Sequence, residues 1–173
     1  MKKLICLVAV LVLTFTTACK KEDNSKKTEL SADMLMTIDQ VKEIISYTPV
    51  MHLSKTDEKS TVRFDSDPKG EDPVIIELYS HNDEKSVAMV HEEFLNRKQM
   101  RPSSQELDGY DAEVFIAFPS IYIYRDGYMA VITAGSGGGE EQTDLLKSAG
   151  KIATLNLLEF LKINPTNTDL LKD

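Results

Sequence analysis

The chain has 173 residues, with 20 lysines and arginines against 28 acids and a formal net charge of −8. Such a surplus of acid is repelled by phosphate backbones, so nucleic acid is not an expected partner; cationic partners or metal ions are mildly favoured, although surplus charge more commonly serves solubility. Two cysteines cannot build a disulfide framework, and the length suits one domain with a proper core.

At the N-terminus, Lys2 and Lys3 precede an uncharged stretch, Leu4 to Ala18, which runs into Thr16-Thr17-Ala18-Cys19. A basic start, a short apolar middle and small residues before a cysteine read as a secretory signal. The apolar part is fifteen residues long, short of the roughly 20 that a membrane-spanning helix needs. This leader resembles the signal peptides of bacterial lipoproteins. The resemblance implies a signal peptide over residues 1–18, cut before Cys19, and a diacylglycerol on the Cys19 thiol. It also implies a mature chain with no free thiol, since Cys6 leaves with the leader, and so no cysteine chemistry. Palmitate or similar chains would then be the link to the membrane, and two or three of them anchor stably. The expected location is the cell membrane or outer membrane, facing outside the cytoplasm.

Residues 19–33 begin with this lipidated cysteine, and from Lys20 to Asp33 the chain is polar and charged. It reads as a disordered tether with a root-mean-square reach of roughly 20 Å. Residues 34–173 read as a single α+β domain. Thr37-x-x-Gln40 is a capping box, and Ile38, Val41, Ile44 and Ile45 recur at helical spacing, with Pro49 ending the helix near Tyr47. Strands are predicted over Thr61–Asp65 and Val74–Ser80, joined by a turn-rich segment into a hairpin. Asn82 is expected to cap a second helix running from Asp83 to about Met100, with a buried stripe of Val87, Val90, Phe94 and Leu95. After a polar loop, strands are expected at Ala112–Phe118, Ile121–Arg125 and Tyr128–Ala134. Asp126-Gly127 predicts a two-residue type I′ turn, which sets Tyr124 opposite Met129 and Tyr122 opposite Val131. A glycine run leads to a last helix, about Glu141–Ile163, with Leu145, Ala149, Ile152, Ala153, Leu157, Phe160 and Leu161 on its apolar face.

The order α-β-β-α-β-β-β-α with short links predicts an α+β fold. Its expected form is a single antiparallel sheet of about five strands with three helices packed mainly on one face.

Several segments resemble sites in outline only. Ala134-Gly135-Ser136-Gly137-Gly138 approximates a nucleophile elbow, but His52, His81 and His91 all precede Ser136, against the chain order that fold requires. No lysine follows these glycines as in a phosphate loop. Asp65-x-Asp67 starts like a calcium loop, yet Lys69 and Ile76 occupy two ligand positions. His81-Asn82-Asp83 and His91-Glu92-Glu93 lack the spacing of a helical zinc pair. No catalytic residue, metal site or cofactor is therefore expected. Tyr122, Tyr124, Arg125 and Tyr128 gather at one hairpin tip. They read either as buried packing, the commoner use of tyrosine on a sheet, or as a binding surface if the sheet has an open face.

The leading expectation is a lipid-anchored extracytoplasmic binding or accessory domain that takes an envelope protein or small ligand. The alternatives are a small cell-envelope hydrolase using carboxylates, whose facing acids no sequence spacing can reveal, and a structural envelope lipoprotein.

Overall fold

The computed structural model describes residues 29–67, 71–82, 85–135 and 139–164. The leader, Cys19 and Ser136 lie outside these residues. Two short helices, α1 (Ala32–Leu35) and α2 (Ile38–Lys42), lead into strands β1 (Pro49–Lys55), β2 (Lys59–Ser66) and β3 (Val74–Ser80). Helix α3 (Val87–Gln99) follows, then β4 (Gln105–Glu106), β5 (Glu113–Ala117), β6 (Ser120–Arg125), β7 (Tyr128–Ala134) and the long α4 (Glu140–Ile163). The fold is α+β with one antiparallel sheet in the order β1-β2-β3-β7-β6-β5-β4.

Among the described residues, seven strands and four helices replace the expected five and three. The additions are the two edge strands and α1. Leu30 and Ala32, expected in the tether, are buried in the core, so the folded body begins earlier than the polar composition suggests. The Thr37 capping box forms in full, with Gln40 N–H donating to Thr37 Oγ1 and Thr37 N–H to Gln40 Oε1, but the helix closes at Glu43.

The helices do not share one face, because β5, β6 and β7 are apolar on both sides. Val62, Phe64, Ile76, Leu78, Ile121, Ile123 and Ile132 meet α1, α2 and α4. Phe115, Tyr122, Tyr124, Met129 and Val131 point the other way and are covered by α3 through Val90 and Phe94. The cap of α3 is Ser86, whose Oγ accepts from Met89 N–H, rather than Asn82, which accepts from Lys85 N–H one turn earlier. Leu95, expected in the stripe, is exposed. On α4 the buried residue of the first turns is Leu146, not Leu145.

The β6–β7 register is the predicted one, Tyr124 opposite Met129 and Tyr122 opposite Val131. Asp126 and Gly127 both take positive φ, 47° and 84°, as a type I′ turn requires. This turn lies at the same end of the sheet as the β1–β2 turn. The β5–β6 turn at Phe118-Pro119, with a cis peptide bond, lies at the opposite end, with the links that leave β2 and β7.

Candidate functional site

Strand alternation decides the fate of the predicted tyrosine surface. A two-residue turn pairs Arg125 with Tyr128 and Tyr124 with Met129, so Tyr122 and Tyr124 occupy the α3 face while Tyr128 occupies the α4 face. Tyr122 is 3% exposed and stacks on Phe115 at 4.4 Å, with the Arg101 guanidinium 4.9 Å above its ring. Tyr124 stacks on His91 at 4.4 Å, and its hydroxyl accepts Gly127 N–H at 3.3 Å. Burial pushes the Tyr124 hydroxyl pKa up, against the opposing pull of the Gly127 bond. Tyr128 meets Phe160 edge-on at 6.1 Å. Arg125 is exposed and is held by Asp126 Oδ2 at 3.1 Å and Asp111 O at 2.9 Å. The four residues thus form no common surface; three of them are packing groups.

Charge beneath α3 is arranged around Tyr79, which is 8% exposed. Arg97, Lys59 and Lys85 stand 4.6, 5.6 and 5.8 Å from its ring centroid, within reach of the ring's negative face. Each cation is also paired: Lys59 with Glu77, and both Lys85 and Arg97 with Glu93. Burial opposes ionisation of Glu93, yet hydrogen bonds from Lys85 and Arg97 outweigh it and hold its pKa below the ordinary value. The set closes on itself and fastens α3 to β3. His91 Nε2 lies 2.9 Å from Glu113 Oε1, off the line of a hydrogen bond and with no other partner. His81 rests on Tyr128, and His52 lies 3.7 Å from Asp65, which also accepts from Arg63. His52 thus lies apart on β1, while His81 and His91 flank the β6–β7 hairpin on opposite faces, against Tyr128 and Tyr124. Among the described residues no group of three or more histidines and acids could hold a metal.

A large concavity lies elsewhere, at the sheet end where β2 and β7 finish. It is an open groove of about 860 Å³ between the segment after α2 and the start of α4. Glu43, Glu71, Asp72, Glu140 and Glu141 line it, with no lysine or arginine among the described residues. Tyr47 forms part of its floor, donating from its hydroxyl to Phe64 O at 3.2 Å and Asp72 O at 3.1 Å. Burial raises the Tyr47 pKa, and the carboxylates of Asp65, Glu71 and Asp72 add to it. Gly135, with φ of 71°, turns the chain out of β7, and the Gln142 amide donates back to Ala134 O. Sequence reasoning missed this groove because its acids come from three separate segments. The one available signal was the acid surplus itself.

The end of the sheet opposite the groove receives the chain. Glu29 pairs with Lys55 at 2.7 Å, and Ala32 N–H donates to Ser60 Oγ at 2.9 Å. From there α1 and α2 cross the α4 face toward Thr48, whose carbonyl accepts from Asp67 N–H beside the groove end. No protein-family model, no curated protein and no solved structure matches this chain.

Proposed function

We propose that the chain is a lipid-anchored binding or accessory domain outside the cytoplasm, held at the cell membrane or outer membrane through Cys19. The observation that carries this reading is the leader, in which Lys2 and Lys3, the apolar stretch and Thr17-Ala18 precede the cysteine in the required order. The path of the chain supports it. Ten residues, Lys20 to Glu29, separate Cys19 from the sheet end where Glu29 meets Lys55, a root-mean-square reach of roughly 17 Å. The domain is therefore kept close to the bilayer with that end inward. Its acidic groove, at the far end, faces away from anionic headgroups. A ligand or envelope protein bearing positive charge meets that end first.

The test exchanges residues 1–19 for a cleavable leader without a cysteine. Release of the processed chain into the soluble extracytoplasmic fraction is the expected result. A processed chain that still sediments with the membrane would contradict the proposal, because the folded body would then hold itself there.

A further inference from the structure

The two edges of the sheet are protected very differently. At one edge β4 has only two residues, Gln105 and Glu106. At the other, β1 offers seven, and all but Pro49 are exposed. Val50, Met51 and Leu53 are 39%, 41% and 55% exposed, although α2 lies beside the strand. A long, flat edge with apolar side chains is a template for pairing with another strand, and natural edges are commonly blunted by charge. Between Pro49 and Lys55 the only ionisable residue of β1 is His52.

The hydrogen-bond pattern says which groups are available. Asp67 N–H donates to Thr48 O and Thr56 N–H to Lys59 O, so the even-numbered residues of this register bond inward to β2. Antiparallel pairs alternate. The backbone groups of Met51, Leu53 and Lys55, with the Pro49 carbonyl, therefore point to the open edge.

We infer that β1 pairs with β1 of a second copy of this chain, antiparallel and centred on His52, to join two sheets into one. About that centre the edge is complementary to itself. Met51 exchanges both backbone bonds with Leu53 of the second copy, and Leu53 with its Met51. Lys55 N–H reaches the carbonyl of the second copy's Pro49, so the missing proline donor leaves only one lysine carbonyl per copy to water. Met51 and Leu53 lie across from Phe64 and Val62, on the α4 face, so both copies extend one apolar layer across the junction. Charge also favours this place. Residues 48–66 carry three bases (Lys55, Lys59, Arg63) and three acids (Asp57, Glu58, Asp65), whereas the chain as a whole is at −8. Two copies meet here without setting acid against acid. An extended peptide of another protein is the rival occupant, and nothing in the edge fixes its side chains as this register fixes its own.

The register gives a sharp test in producing cells. His52 faces its own copy across a pair without hydrogen bonds, where Cα atoms are about 4.5 Å apart, inside the range a disulfide spans. Ser54 faces Val50 of the second copy, which leaves the two Ser54 positions about 14 Å apart, too far to bridge. Under mild oxidation the full chain bearing His52→Cys is expected to form a disulfide-linked dimer of twice its mass. Ser54→Cys is expected to stay at the background set by the unsubstituted chain, with its Cys6 and Cys19. Leu53→Glu, at an exposed position, is expected to abolish the His52→Cys cross-link while the fold remains. Equal cross-linking at 52 and 54, none at 52, a link to a different polypeptide, or a link indifferent to Leu53→Glu would each overturn the inference.

Discussion

Gly127 shows how much a single position carries. Its φ of 84° lies in the left-handed region, and a β-carbon there would meet His81 Nδ1 at 2.7 Å and Val87 Cγ2 at 2.9 Å. Its N–H is held by the Tyr124 hydroxyl and its carbonyl by His81 N–H at 2.9 Å. One residue thus joins the β6–β7 turn to β3 and to the entry of α3. Gly127→Ala is expected to destabilise the domain by about 2–3 kcal/mol, combining backbone strain with the two close approaches. Chemical denaturation checks this, and a loss under 0.5 kcal/mol, on the order of a neutral surface change, would contradict it.

At the level of elements, α3 is the piece whose attachment depends on ionised groups. Glu93 accepts from Lys85 and from Arg97, and Arg97 in turn stands over Tyr79. Because the folded-state pKa of Glu93 is depressed below its ordinary 4.5, its contribution is complete above that value. It is lost as pH falls through the lower folded-state pKa. Glu93→Gln is expected to cost about 1–2 kcal/mol at neutral pH, since the triad is only partly buried. The difference from the unsubstituted chain should close in acid, and urea titrations across the range from neutral to acidic pH measure it. A gap that stays constant or widens in acid would exclude Glu93 as the pin.

These elements also mark how far the sequence could be read. Asp126-Gly127 forced both turn and register, so β6 and β7 were legible residue by residue. Strand β1 was not, because a strand exposed on both faces shows no alternation of burial and its Pro49 reads as a helix stop. Asn82 and Ser86 are both good caps four residues apart, and the sequence does not rank them. Leu145 and Leu146 are adjacent, so helical phase alone could not choose the buried one. The tyrosine tip failed as a surface for a related reason: alternation sorts its residues onto two faces, and α3, placed on the second face, covers two of them. The groove was illegible because closeness of Glu43, Glu71 and Glu140 exists only after β2, β3 and β7 have assembled.

At the scale of the whole molecule, the described residues form a sheet with two unlike ends. The chain enters beside Lys55 and the β6–β7 turn, and the acids of the groove gather at the other end. The proposed tether at the first end turns this layout into an orientation, with the carboxylates outward. The described residues contain no helix long and apolar enough to cross a membrane. The proposed means of attachment is the lipid on Cys19. Its most direct test is the mass of the N-terminal peptide of the processed protein, from cells grown with labelled palmitate. The account predicts a labelled peptide that begins at Cys19 and carries a diacylglycerol on its sulfur. An unlabelled chain that keeps residues 1–18, or one cut elsewhere with an unmodified Cys19 thiol, would contradict it.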